Sequence, residues 1–405
     1  MAKNTSNPIR KIVDGMKLTP NPNKEMIALS IGDPTVFGNL LPAEVVNAAV
    51  VESVKDCKHN GYAPSVGYEK ARQAVADHYS LPSAPLTSQD VIFASGCSSA
   101  LDLAISVLAN EGQNILVPRP GFSLYQTLAN SLGISVRHYD LLPDHGWQID
   151  LGHMESLLDD HTAAIVVNNP SNPCGSVFSQ EHIKDILKIA DKNKVPIIAD
   201  EIYAHFVFPG HEYFSMASQT EDVPIISAGG LTKRYLVPGW RMGWLTIHDR
   251  HDAFKNEIRP GLLALTTRIL GPNTLIQGAL ETILTKTPQE FFDSTIAVVK
   301  ANADIAFEAL SKIPGLKPVM PSGAMYMMVG IDMEKFPEFH DDKEFASAMV
   351  TEQSVFCLPA QCFKYPDYFR VVLTVPQEKL QVACERIEEF CRDHYTVTNG
   401  ANGME

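Results

Sequence analysis

Between about Asp90 and Leu245 the chain repeats one rhythm: a short apolar run, a loop of Gly, Asn and Pro, then a stretch with apolar residues three and four apart. The runs are VIFAS (91–95), NILVP (114–118), AAIVVN (163–168), PIIAD (196–200), PIISA (224–228) and WLTIH (244–248). They are short, rich in β-branched residues and mostly unalternated, as strands buried on both faces of a parallel sheet must be. The intervening stretches are long enough for crossover helices, so the rhythm predicts an α/β fold with a doubly wound, mostly parallel sheet. Such sheets bind ligands beyond the carboxyl ends of their strands, which directs attention to the polar residues just after each run.

After Pro272 the rhythm gives way to long helical stretches, TLIQGALETILTK and a run from Glu290 to Ile313. LKPVM, AMYMMVGI, SVFCLPA and FRVVLTV then read as strands of a smaller α+β unit. A closing helix near Gln377–His394 carries Leu380, Cys384, Ile387 and Cys391 on one face. The expected organisation is an N-terminal arm over 9–45, a large domain over 46–289 and a small domain over 290–395. Polar, aperiodic tails at 1–8 and 396–405 are expected to be disordered. A chain of 405 residues with 45% hydrophobic content can fill such a core. Its formal net charge of -14 and lack of a basic cluster argue against nucleic acid and anionic lipid as partners. No apolar run nears the roughly 18 residues that span a bilayer. MAKNTSNPIRK has neither a signal-peptide core nor the Arg-rich amphipathic pattern of mitochondrial import. Seven cysteines without a C-x-x-C pair read as reduced thiols rather than a disulfide framework or zinc site, and a cytoplasmic location is expected; no metal is expected.

Four loops after strand ends carry candidate chemistry. Ser95-Gly96-Cys97-Ser98-Ser99 precedes a helical stretch, which suits an anion at a helix N-terminus or plain N-capping by Ser95 or Ser98. In Asn169-Pro170-Ser171-Asn172-Pro173-Cys174-Gly175, Asn172 is held by two prolines and either bonds a ligand or serves the turn. Asp200 ends its run and is followed three residues on by Tyr203; it is a desolvated ligand carboxylate or a helix cap. Lys233 follows Gly229-Gly230, with Arg241 eight residues further on; alone it would read as a surface lysine. As a neutral amine, lysine forms Schiff bases with carbonyls. Pyridoxal phosphate has a part for each loop: an aldehyde for Lys233, a pyridine nitrogen for Asp200, a phenolic oxygen for Tyr203 and Asn172, and a phosphate for the first loop with Arg241.

These segments, with SIGDPTVFGN (30–39), NGYAPSVGY (60–68), QNILVPRPGFSLY (113–125), PSGAMYMMVGI (321–331) and FRVVLTVP (369–376), resemble the fold-type-I aminotransferases over nearly the whole chain. The resemblance implies a large pyridoxal-phosphate domain and a small domain built from the N-terminal segment plus the C-terminal part. It implies that Lys233 holds the cofactor as a Schiff base and shuttles the substrate proton, and that Asp200 keeps the ring nitrogen protonated. Tyr203 and Asn172 would bond the phenolic oxygen, and Phe122 would stack on the ring. Gly96, Cys97, Ser98 and Arg241 would hold the phosphate, joined by Tyr62 from a partner subunit, hence a homodimer with shared active sites. Arg370 would fork the substrate α-carboxylate in a pocket that Gly32 lines. Many members carry a serine three residues before the lysine; this chain has Gly230 there and Thr232 beside the lysine.

The segments most resemble members that move the amino group of L-tyrosine to 2-oxoglutarate in a ping-pong reaction, yielding 4-hydroxyphenylpyruvate and glutamate. Broader aromatic, alanine or sulfur-amino-acid transamination, or β-elimination, remain alternatives on the same scaffold, since fold alone does not choose among them. Phe37, Asn39 and Tyr326 are the expected lining that would decide. A ligand sensor without turnover is disfavoured by the presence of both Lys233 and Asp200.

Overall fold

The computed structural model describes residues 5, 7–16 and 18–397. In chain order the strands are β1 (Ile27–Ala28), β2 (Val91–Ser95), β3 (Asn114–Arg119), β4 (Ser135–Leu142), β5 (Gln148–Ile149), β6 (Thr162–Asn168), β7 (Ile197–Asp200), β8 (Ile225–Gly230), β9 (Met242–His248), β10 (Leu316–Val319), β11 (Tyr326–Ile331), β12 (Val355–Phe356), β13 (Leu358–Pro359) and β14 (Tyr368–Val372). Eight of them form one sheet in the order β2-β9-β8-β7-β6-β3-β4-β5. Pairing is parallel from β8 through β7, β6 and β3 to β4, and antiparallel where β9 lies between β2 and β8. The chain order reverses beside β6, and there the sheet opens the crevice in which α/β folds bind ligands.

The six expected strands of this sheet are present, VIFAS with its bounds unchanged and the other five extended or trimmed by a residue or two at an end. WLTIH runs against its neighbours, a direction that apolar runs do not encode. Alternate residues of β9 serve two layers. Leu245 and Ile247 pack with Ala100, Leu101 and Ala104, whereas Trp244 joins a separate cluster with Val75, Leu280 and Phe292.

The smaller sheet is antiparallel, in the order β10-β11-β14-β13. SVFCLPA, read from sequence as one strand, is broken at Cys357: β13 pairs with β14, while β12 pairs in parallel with β1. Leu29 then accepts a hydrogen bond from the Val372 amide at 2.9 Å, so the N-terminal segment is tied to the C-terminal part. Ile27 and Leu29 share a core with Val299, Tyr326, Phe345, Leu373 and Leu380, one layer of which is the helix Gln377–His394.

Four helices at the start of the chain matter for the site: α1 (Pro8–Gly15), α2 (Glu44–Lys55), α3 (Glu69–Tyr79) and α4 (Gly96–Leu108). The Asn7 side chain accepts from the amides of Ile9 and Arg10, and Pro8 occupies the first turn where its missing N–H costs nothing. Asn7 and Pro8, expected in a disordered tail, therefore open a helix. Residues 1–4, 6 and 398–405 lie outside the described residues, and with them most of the expected tails. Thr396 donates its amide to the Lys335 carbonyl at 2.8 Å. Among the described residues no helix is long and apolar enough to cross a membrane.

Candidate active site

Beyond the carboxyl ends of β6, β7 and β8 lies a cavity of about 610 Å³. Gly32, Cys97, Ser98, Phe122, Asn172, Asp200, Tyr203, Lys233, Arg241 and Arg370 all line it, so the candidates from separate loops meet in one place. Thr232 lines it as well. Phe37 and Asn39 do not; Phe37 packs against the small-domain core and Asn39 is exposed, which leaves Tyr326 alone of the three expected selectors. Tyr62 also lies off the cavity of its own chain, 92% exposed.

Asp200 ends β7 at 2% exposure. The hydroxyl of Tyr125 donates to its Oδ2 at 2.6 Å, and the Ile202 amide (3.3 Å) and Cys97 thiol (3.7 Å) donate to Oδ1. Burial pushes the Asp200 carboxyl up, and these three donors together with the charge of Lys233 pull against it. The N-cap alternative fails, because no helix starts there. Asp200 is fixed from β6 too: Asn168 donates its side-chain amide to the Asp200 carbonyl at 3.0 Å and accepts the Asn172 amide at 2.8 Å. One strand-end residue thus sets both the carboxylate strand and the Asn172 turn, where Asn169-Pro170 and Asn172-Pro173 are cis peptides.

The loop expected before the first helix is instead its first turn. α4 begins at Gly96, and Ser95 makes no side-chain cap, so the capping alternative is not realised. The opening amides of a helix have no intrahelical partner, and the helix dipole adds positive potential at that end. Arg241 stands beside them, donating to the carbonyls of Pro238 (3.0 Å) and Ser95 (3.1 Å). Glycine is required here. Gly96 has φ +76°, and a Cβ on it would sit 2.1 Å from Arg241 Nη2. Gly230 has no room either, since its Cβ would lie 2.7 Å from the Met242 carbonyl.

Lys233 Nζ donates to the Gly32 carbonyl at 2.6 Å and lies 5.8 Å from the centre of the Tyr203 ring. Tyr203 and Tyr326 share a hydrogen bond of 2.7 Å between their hydroxyls. Burial raises the Tyr203 phenol, as does its neighbour Tyr326. Burial also acts on Tyr326, but the cations Lys233 and Arg370 and the Tyr203 hydroxyl outweigh it, and its pKa falls below the ordinary phenol value.

Arg370, in β14, is 4% exposed. It donates to Asn172 Oδ1 at 2.9 Å and to the Ser30 carbonyl at 2.6 Å, and lies 4.4 Å from the Tyr326 ring centre. Among the described residues no carboxylate pairs with it, and its Nε is buried without a hydrogen-bond partner. A buried guanidinium with an unused donor is a site for a carboxylate from outside the chain. Because Arg370 takes the Asn172 oxygen, the Asn172 amide nitrogen is what that side chain has left for a ligand.

The donor set fits pyridoxal phosphate. An amine, a buried carboxylate, a phenol with an amide, and a cationic helix start without a blocking Cβ surround one cavity, matching aldehyde, ring nitrogen, phenolic oxygen and phosphate. Sequence reasoning missed Tyr125 and Asn168, which set Asp200, and Ser30, which sets Arg370. Tyr125 follows Phe122 by three residues in an unremarked helical stretch, and nothing in its spacing announces a carboxylate partner. It also missed that Ile9, Arg10, Val13 and Asp14 of α1 line the cavity mouth.

Residues 24–387 match the family model for aminotransferase class I and II. The chain is 59% identical over 401 residues to tyrosine aminotransferase of Mus musculus, covering 99% of this chain and 88% of that one. Among solved structures it resembles tyrosine aminotransferase from Leishmania infantum (TM-score 0.92, 34% identity, 98% of each chain covered). It also resembles alanine aminotransferase from Pyrococcus furiosus (TM-score 0.90, 30% identity, 97% of this chain and 98% of that one).

Proposed function

Since the chain belongs to the class I and II aminotransferases, we propose that it moves the amino group of L-tyrosine to 2-oxoglutarate, yielding 4-hydroxyphenylpyruvate and L-glutamate. The observation that carries the donor is the close likeness, along almost the whole chain, to a relative named for tyrosine. The convergence of Lys233, Asp200 and Arg370 on one cavity supports the chemistry.

The family works with pyridoxal phosphate, which when bound supplies an aldehyde for the amino group and a ring that draws electrons from the substrate Cα. The residues of this chain do the rest. Lys233 holds the aldehyde and, once displaced, carries the proton at Cα. Asp200 keeps a proton on the ring nitrogen; Tyr125, Cys97 and the Ile202 amide hold that carboxylate in place. Tyr203 and the Asn172 amide bind the phenolic oxygen, and Phe122 covers the ring. The first turn of α4 at Gly96, Cys97 and Ser98 binds phosphate with Arg241. Arg370 forks the substrate carboxylate between Asn172 and Ser30, with Gly32 leaving room beside Tyr326. Tyr62 reaches the phosphate of a second copy, so the working unit is a homodimer. The exposure of Tyr62 away from its own cavity supports this arrangement. Seven free cysteines, six of them buried, support a reducing, cytoplasmic setting.

The test is the visible spectrum of the protein loaded with pyridoxal phosphate. L-Tyrosine alone should abolish the lysine-bound cofactor band, and 2-oxoglutarate should restore it. A band that L-tyrosine leaves unchanged rejects tyrosine as donor, and absence of any band rejects Lys233 as the anchor.

A further inference from the structure

On the face of the large sheet opposite α4 lies a second cavity of about 280 Å³, with Ile202 in the wall common to both. At roughly 30 Å³ per water-sized group it holds a small molecule. Trp244, Thr246 and His248 of β9 line one side, and Gly229 and Gly230, which lead to Lys233, another.

The charged group that sets its chemistry is Arg234, the residue after the cofactor lysine. Its guanidinium lies 4.2 Å from the centre of the Phe292 ring. Among the described residues it has no ion pair, and its Nε is buried without a hydrogen-bond partner. Glu201, the acid in the same lining, is engaged on its own side: the Met216 amide donates to Oε1 at 3.0 Å, and Tyr213 and Ser215 stand beside it. His78 and His205 line the cavity too. Both expose over a third of their surface, yet protein around them and the charge of Arg234 hold each imidazole down at about 4. They are deep and wetted at once, as groups lining a cleft are. A cation-π contact satisfies the face of a guanidinium and leaves its edge N–H groups without acceptors.

We propose that this cleft is a second ligand site, distinct from the Lys233 cavity, which binds a small oxyanion, a carboxylate or a phosphate, through the edge of Arg234 flanked by His78 and His205. The anion offsets the Arg234 charge, which adds to burial in suppressing the two imidazoles, so its binding takes up protons and strengthens as pH falls toward their values of about 4. His248, also held down at about 4 by burial first, adds a further neutral imidazole; Tyr79 and Tyr213 add phenols that burial keeps protonated. Among the described residues that line the cleft Glu201 is the one acid, and burial pushes its carboxyl up.

The experiment uses the cofactor-loaded enzyme. The imidazoles of His78 and His205 are titrated by NMR with sodium acetate, then sodium phosphate, against sodium chloride at matched ionic strength. The expected result is an upward shift of about one pKa unit for both histidines, absent in Arg234→Gln and weaker in Arg234→Lys, which keeps the charge without the fork. A response to acetate alone identifies the ligand as a carboxylate, and a response to phosphate alone as a phosphate. No response to either, an equal response to chloride, or a shift that persists in Arg234→Gln overturns the proposal. The cofactor absorption band reports that each variant is folded; if Arg234→Gln lacks it, Arg234→Lys decides, and a response there equal to the parent protein overturns the proposal.

Discussion

The cavity has two halves that are built in different ways. The half proposed for the cofactor, Asp200, Lys233, Asn172 and the start of α4, hangs on strand ends of one sheet, each side chain a few residues from the strand that places it. The substrate half joins parts remote in sequence: Arg370 meets Ser30 across 340 residues and Asn172 across 198, and Lys233 meets Gly32 across 201. The first half is preset by the sheet. The second exists only when the N-terminal segment and β14 are folded together, through β1 on β12 and Leu29 on Val372. It follows that cofactor binding and substrate binding should be separable by mutation, and the variants below test that separation.

Lys233→Ala carries the largest expected effect. Removing both the anchor and the proton carrier should lower kcat by about 10⁴-fold or more, read by stopped-flow loss of the tyrosine half-reaction. Phosphate-held cofactor should still be retained on dialysis, because the α4 start and Arg241 are untouched. Arg370→Lys comes next. It keeps the charge but loses the planar fork, and KM for both amino and keto acid should rise by about 100-fold while cofactor affinity stays at the parent value. If cofactor affinity drops in step with KM, the two halves are one cooperative unit and the comparison fails.

Gly96→Ala probes the cofactor half alone. A Cβ would collide with Arg241 Nη2 and would strain a left-handed backbone, at about 1–2 kcal/mol for the backbone alone. Cofactor affinity should weaken at least about tenfold, measured by equilibrium titration, with KM for tyrosine unchanged once the cofactor saturates.

How much of this was legible in sequence follows the same division. Apolar runs and the loops after them are local, so six strands of the large sheet, the helix Gln377–His394 and the loops that carry Cys97, Asn172, Asp200 and Lys233 could be read directly. Arg370 could not: on a lone strand an arginine signals nothing, and only the family resemblance singled it out. β4 was missed because SVRHYDLL alternates, with Tyr139 and Leu141 buried and its other positions partly or fully exposed, unlike the continuous runs further inside the sheet. SVFCLPA was read as one strand because an apolar run does not record which partner each half will find. Tyr125 and Asn168 escaped for a related reason: each acts on Asp200 through a contact that only the packed sheet creates.

Tyr125→Phe should show the smallest effect and bears most directly on how the preset half is tuned. The lost hydroxyl gives Asp200 Oδ2 its shortest hydrogen bond and would leave an apolar ring in the same space. A donor to a carboxylate stabilises the charged form, so its removal raises the Asp200 pKa further in the direction that burial already drives it. A raised pKa means that the carboxylate takes up its proton at higher pH. The acid limb of the kcat profile should therefore move upward, with kcat at its plateau lower by roughly 3- to 10-fold, the worth of about one hydrogen bond. Substrate KM should stay put, since Arg370 and Ser30 have no part in the change. An acid limb that moves downward, or KM that rises as kcat falls, would show that Tyr125 supports the substrate half as well, and that the boundary between the halves runs through Asp200 rather than beside it.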